Sequence, residues 1–236
     1  MSNSPNRLLA SLPTAVFAAL KPHLKPFQLK LGDVLAEAVS TVKNAYFPHS
    51  GVISLVVELD DGPMIETAMV GCDGVFNASA ALDGKVSLNK GVVQLSGVAS
   101  VMNVDKLRSI ADEFPHFRSL LIRHEQVLFA QSQQSAACNA THQIEARLCK
   151  WLLRMRDLAD NNELTVTQEF LGQMMGVTRP SVSIVANTLQ KAGFIEYRRG
   201  RIQIIDAAGL EESSCECYGI VKAHYDRMLA PQNKLK

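Results

Sequence analysis

The stretch LTVTQEFLGQMMGVTRPSVSIVANTLQKAGFIEYRRGRIQIID, residues 164–206, decides how the chain is read. Thr167 is a good helix N-cap, and Phe170, Leu171, Met174 and Met175 supply the apolar face of the helix behind it. Gly176 allows a tight turn. Thr178 or Arg179 then caps a second helix, with Pro180 in its first turn, where a missing N–H costs nothing. Val182, Val185, Ala186 and Leu189 fall at i, i+3, i+4 and i+7, which makes one buried stripe. Gly193 ends that helix. FIEYRRGRIQII reads as two short strands around Arg198, Arg199, Gly200 and Arg201. Helix, glycine turn, helix and basic hairpin together make a winged helix-turn-helix, whose second helix enters the DNA major groove.

The outer face of that second helix carries Pro180, Ile184, Asn187 and Lys191, flanked by Ser181, Ser183 and Thr188. A DNA groove accepts such a face. Short hydroxyls reach bases or phosphates, Ile184 can meet a thymine methyl, and Arg179 can pair with guanine O6 and N7. The expected DNA contacts are Thr178, Arg179, Pro180, Ser181, Ser183, Ile184 and Asn187, with Arg198, Arg199 and Arg201 on phosphates. The alternative is a helical hairpin for protein contact, with Ile184 in the interface. Charge distribution favours DNA. The whole chain has a formal net charge of +1, but between residues 141 and 201 nine Lys and Arg stand against six Asp and Glu.

The texture upstream differs. Leu8, Leu9, Leu12, Val16, Phe17 and Leu20 have helical spacing interrupted by Pro13, which predicts two short helices or a kink. From about residue 25 to 104, glycines punctuate short apolar runs such as GVISLVVEL and GVVQLSGVASVMNV, the pattern of a β-sandwich or barrel. Asp61-Gly62 is a hairpin-turn candidate. VDKLRSIADEF reads as a short helix ended by Pro115. From His116 to about Cys138 a helix carries a stripe of Phe117, Leu120, Leu121, His124, Val127, Leu128, Gln131 and Ser135. That stripe either packs on its own domain or forms a two-chain seam. The seam reading is preferred, because so long a helix after a compact β domain has little of its own chain to cover it. His124 on the seam would make the contact pH-sensitive. A further amphipathic helix covers residues 143–158.

Other classes find little support. No basic stretch followed by an apolar run opens the chain, and no apolar run approaches the ~18–20 residues that span a bilayer, so a cytoplasmic protein with no membrane partner is expected. There is no G-x-S-x-G, P-loop or H-E-x-x-H, so no enzyme activity is expected. The five cysteines include no C-x-x-C pair. Cys215 and Cys217 offer two thiolates, but no nearby His or Cys completes a tetrahedral set, so reduced thiols and no metal are expected.

The chain resembles the Crp/Fnr family of bacterial transcription regulators over residues 6–225, most specifically in residues 164–206 and in YFPHSGVISLVVELDDG. The resemblance implies an α+β fold. An N-terminal β-roll of the cyclic-nucleotide-binding type (a double-stranded β-helix, or jelly roll) would cover residues 1–115, with a dimerisation helix at 116–140. A winged helix-turn-helix at 141–210 and a helical tail at 211–236 would follow. It also implies a homodimer reading a near-palindromic operator on double-stranded DNA, with RNA polymerase as a further partner and a small-molecule effector of unknown identity. Arg179 falls on the arginine that opens the family's recognition helix, and Ser183 matches a serine of some branches. Pro180 and Ile184 replace a glutamate and a base-reading arginine. In the cyclic-nucleotide branch a Gly-Glu pair and an Arg hold the ligand. The matching stretch here, residues 70–94, has neither Glu nor Arg, and Asp73, Lys85 and Lys90 stand in it instead. Lys90 is left as an effector contact, although one ammonium cannot reproduce a bidentate guanidinium. No cysteine precedes Cys72, so the cysteine cluster of the oxygen-sensing branch is missing and no cofactor is expected. The alternative function is a ligand-binding regulatory module acting through protein contacts.

Overall fold

A computed structural model gives the fold, described for residues 4–60 and 64–230. The N-terminal helical pattern resolves into α1 (Arg7–Ala10) and α2 (Thr14–Leu20), broken at Pro13 as expected. Asn6 caps α1, accepting from the Leu9 amide, while its own amide donates to the carbonyls of Pro48 and Gly74. That pins the first turn onto the β domain.

The glycine-punctuated region forms β1 (Lys25–Leu29), β2 (Val34–Ala36), β3 (Ser40–Thr41), β4 (Asn44–Pro48), β5 (Val52–Glu58), β6 (Met64–Val70), β7 (Val86–Ser87), β8 (Lys90–Leu95) and β9 (Gly97–Asn103). They pair antiparallel as sheets of order β1-β9-β4 and β2-β8-β5-β6, with β3-β7 as a small third ladder. Residues of both larger sheets share one core, including Leu29, Tyr46, Ile53, Val70, Val93 and Ala99. Phe76 fills that core so closely that a Cβ at Gly91 would lie 2.1 Å from its ring, so only glycine fits there. The candidate turn at Asp61-Gly62 lies outside the described residues. The strands on either side pair from Glu58↔Met64 to Ile53↔Val70.

α3 (Val104–Glu113) starts at an Asn103 cap, whose side chain accepts from the Asp105 and Lys106 amides. Pro115 then opens α4 (Pro115–Thr141), a 27-residue helix about 40 Å long. α5 (Ile144–Ala159) follows after a short elbow at His142 and Gln143. Beyond it come β10 (Glu163–Thr165), α6 (Gln168–Met175), α7 (Arg179–Lys191), β11 (Ile195–Arg198), β12 (Arg201–Ile204), α8 (Ala207–Ser213) and α9 (Cys217–Leu229). Among the described residues no helix is long and apolar enough to cross a membrane.

Two further cores organise these helices. Leu148, Trp151, Leu152, Leu171, Val182 and Leu189 belong to the one that holds α5, α6 and α7 together. The other joins α1, α2, α3 and α4 to α9 through Leu8, Leu20, Phe117, Leu121, Val221 and Tyr225. α9 therefore folds back along α4, a return that nothing in the local sequence announces.

Candidate nucleic-acid interface

The two helices of the C-terminal region form as their capping residues dictate. Thr167 accepts from the Phe170 amide, and α6 ends on Gly176 at φ +63° in the left-handed region. Thr178 caps α7, accepting from the Ser181 amide. Val182, Ala186 and Leu189 are buried beneath α7, with Val185 half-buried. On the outer side Arg179, Pro180, Asn187 and Lys191 are exposed, and Ile184 is 68% exposed, high for a large apolar side chain. No segment of the described chain covers this face.

Ser183 departs from expectation. Helical rotation puts it among the groups offered to bases, yet its hydroxyl reaches Gln168 Oε1 on α6 and the Arg179 carbonyl. It is half-buried and ties the two helices together. The hydroxyls of Thr178 and Ser181 lie 2.9 Å apart, so they serve the cap as well as the surface.

The hairpin of β11 and β12 places Arg198 and Arg201 directly opposite each other. Arg199 and Gly200 form the two-residue turn between them, with φ of +48° and +79°. Such a turn favours Asn-Gly, and an arginine in the left-handed region costs on the order of 1 kcal/mol. Like charges across a strand pair also repel. Three cations are thus held together against both local preferences, which points to an anionic partner. Arg198 lies 3.8 Å from Glu196 and Arg201 lies 3.4 Å from Glu163, both as exposed pairs. Arg199 and Arg179 have no carboxylate partner among the described residues. The two line one shallow cleft between the start of α7 and the hairpin tip, together with Thr167, Gln168, Glu169, Tyr197 and Gly200. Gln190 docks the hairpin onto α7 by accepting the Tyr197 amide at 2.8 Å. Sequence reasoning missed Gln168, Gln190 and Tyr197, since nothing in their spacing marks them.

The expected seam on α4 needs correction. Phe117, Leu120, Leu121, His124, Leu128 and Gln131 are buried, and Val127 and Ser135 are half-buried, all within one chain. Phe117, Leu120 and Leu121 share a core with Val221, Tyr225 and Met228 of α9, and Leu128 joins the core of the β domain. His124 is fully buried, its Nε2 accepting the Val75 amide at 3.2 Å, so it does not sit in a contact between chains. The physical reason is α9, which supplies the cover that the seam reading assumed was missing. The side of α4 that stays open carries Ile122, Gln126, Phe129, Gln133, Ala136 and Ala140, all exposed. Their spacing alternates four and three, the repeat of a coiled-coil face. At about 100° per residue this stripe lies opposite the buried one. Ile122 is 42% and Phe129 65% exposed.

The stretch matching the nucleotide site is occupied by internal pairs. Lys90 Nζ lies 3.0 Å from Glu58 and 3.6 Å from Glu37. Lys85 faces Asp105, and Asp83 faces Arg108. Lys90, expected as an effector contact, is therefore already neutralised by two carboxylates. Asp73 is fully buried and meets Arg154 of α5 at 2.8 Å, which locks the β domain to the helix-turn-helix region.

Glu66 stands at the same junction. Trp151 Nε1 donates to it at 3.1 Å, and Ser54, itself against Gln94, donates to its other oxygen. Burial pushes its carboxyl up to about 7, and the hydrogen bonds and Lys150 only partly oppose this. A raised carboxyl favours the folded state when protonated. That contribution is fully present below the ordinary value of 4.5 and is lost as pH rises through about 7. Urea denaturation of the wild type and Glu66→Gln should therefore show a stability difference that shifts by up to about 3 kcal/mol between pH 4.5 and 8. The wild type should be the one that weakens; a constant difference would show that Glu66 does not titrate there.

The cysteines also differ from expectation. Cys215 and Cys217 have no completing ligand nearby in sequence, yet folding brings Cys138 and His142 to them from 77 and 75 residues away. All five cysteines are free and buried.

Residues 146–213 match the Crp-like helix-turn-helix domain. The chain is similar to the solved structure of FixK2 from Bradyrhizobium japonicum at a TM-score of 0.70 and 15% identity, covering 81% of this chain and 98% of that one. It is similar to TTHB099, a CRP-family transcriptional regulator of Thermus thermophilus, at 0.65 and 22%, covering 80% and 96%. For TTHA1359 of the same organism, a CRP/FNR-family transcriptional regulator, the values are 0.62 and 20%, covering 80% and 98%. At these identities the likeness is one of fold. A search of curated proteins by sequence finds no match.

Proposed function

We propose that this chain, which has the fold of the Crp/Fnr regulators and a Crp-like helix-turn-helix domain at residues 146–213, is a homodimeric, sequence-specific DNA-binding transcription regulator. One observation carries the reading: the outer face of α7 is uncovered, and Arg179 at its start shares one cleft with Arg199 of the hairpin tip. In this reading α7 lies in the major groove, with Arg179 and Ile184 toward base edges and Arg199 on a backbone phosphate. The open stripe of Ile122 and Phe129 packs against the same stripe of a second copy, giving the twofold axis that pairs the two reading helices. The β domain serves as scaffold or sensor. Its internally paired charges argue against a cyclic nucleotide as effector, since among its described residues Arg7 and Arg108 are already paired with Asp226 and Asp83.

Salt titration of duplex binding tests this. Affinity should fall with log–log slope of about −0.9 per phosphate neutralised. Arg199→Ala should flatten that slope by about 1 and leave sequence preference alone. Arg179→Ala should instead relax preference, by ~1–3 kcal/mol at one base pair. No salt-dependent binding to duplex, in the wild type or in Arg199→Ala, would favour a module acting through protein contacts.

A further inference from the structure

Four side chains converge where α4 ends. Cys138 lies in the last turns of α4, His142 at the elbow before α5, and Cys215 and Cys217 at the start of α9. Three Sγ atoms and one imidazole nitrogen all lie within 4.8 Å of one another. Cys138 Sγ is 3.6 Å from Cys215 Sγ, and Cys217 Sγ is 3.6 Å from His142 Nδ1. The sulfur pair is far too long for a disulfide, whose S–S bond is about 2.05 Å. The distances fit another chemistry. Around a tetrahedral ion with Zn–S of about 2.3 Å and Zn–N of about 2.0–2.1 Å, the edges come to about 3.8 Å between sulfurs and about 3.5 Å between sulfur and nitrogen.

The surroundings are built to match. The other ring nitrogen of His142, Nε2, lies 3.3 Å from Glu216 Oε1. A carboxylate on the far side of a ligating imidazole fixes its tautomer and orientation. The Gln134 amide donates to Cys217 Sγ at 3.1 Å. Lys150 Nζ lies 3.4 Å from Cys138 Sγ. Three thiolates and a neutral imidazole around a divalent ion leave one negative charge, which the Lys150 ammonium offsets. Soft thiolates with one imidazole in a tetrahedron select zinc among the common divalent ions. The ring is too tight for an iron–sulfur cluster, which spreads its ligands around several metal atoms.

We propose that Cys138, His142, Cys215 and Cys217 form a structural zinc site that clamps the end of α4, the α4–α5 elbow and the start of α9. Each Zn–S bond forms as a thiol releases its proton to water, and all four positions are filled by protein, so no open position is left for catalysis. The clamp fixes the elbow from which α5 departs. It stands apart from the DNA reading, since its evidence is the ligand geometry alone.

The test uses the full chain, reduced and stripped of metal, titrated with Co²⁺ without oxygen and then with Zn²⁺. The expected result is one cobalt per chain, with thiolate-to-cobalt charge-transfer bands and the intense visible bands of tetrahedral coordination, displaced by zinc. Cys217→Ser should lose the tetrahedral spectrum, and Glu216→Gln should keep it while weakening zinc binding by about 10–100-fold. The wild-type titration stands even if the cysteine variant fails to fold. The proposal is overturned if the reduced wild type binds no stoichiometric cobalt or zinc, if the isolated chain holds iron with inorganic sulfide, or if Cys217→Ser binds cobalt as the wild type does.

Discussion

On the proposed pairing of two chains through α4, replacing Phe129 with glutamate is expected to leave folded monomers. Phe129 is 65% exposed on α4 and belongs to the alternating stripe with Ile122, Gln126 and Gln133. In one chain its side chain is mostly exposed, so helix content and unfolding midpoint should hardly change. In a pair of chains the substitution occurs twice and sets carboxylates in a desolvated centre. Truncating a central aromatic anchor costs at least ~2 kcal/mol, and burying unpaired charge adds to it. A loss of about 4 kcal/mol, or about a thousandfold in Kd, is expected by sedimentation. Leu121→Glu should behave differently. Leu121 is fully buried within the chain, so that variant should unfold. If Phe129→Glu stayed dimeric, the axis would lie elsewhere.

The second large effect concerns Arg154 and Asp73. Their pair is buried on both sides, at 2.8 Å, with the Arg154 guanidinium 4.4 Å above the Tyr225 ring. Arg154→Ala strands a carboxylate that has no access to water. Breaking a buried pair from one side costs about 3–5 kcal/mol, whereas replacing both partners with apolar groups costs far less. Arg154→Met with Asp73→Leu should therefore recover most of what Arg154→Ala loses. Trp151, the chain's single tryptophan, sits at the same junction and reports unfolding by its fluorescence. A loss below about 1 kcal/mol in the single variant would mean that water reaches Asp73.

Much of the fold was legible because local chemistry set it. Pro13 and Pro115 broke helices where expected, Thr167 and Thr178 capped them, and the glycine-punctuated runs became antiparallel strands. The outer face of α7 was legible because its buried stripe defines the opposite side. What failed was long-range. α4 is apolar on two sides, and choosing which side meets the chain itself requires knowing that α9 returns to cover it. The spacing of Ile122, Gln126, Phe129 and Gln133 carried the coiled-coil signal, but the larger side chains of the other stripe masked it. Cys138 and His142 joined Cys215 and Cys217 through the same return. Ser183 read as exposed because rotation about one helix axis takes no account of Gln168 on the neighbouring helix.

Selection of bound sites from random duplex DNA by the full chain, with and without small-molecule cell extract, tests the central claim most directly. The account predicts a near-palindrome with half-sites about one helical turn, ~34 Å, apart, bound by two chains. No enriched sequence in either arm, or a single half-site bound by one chain, would contradict it.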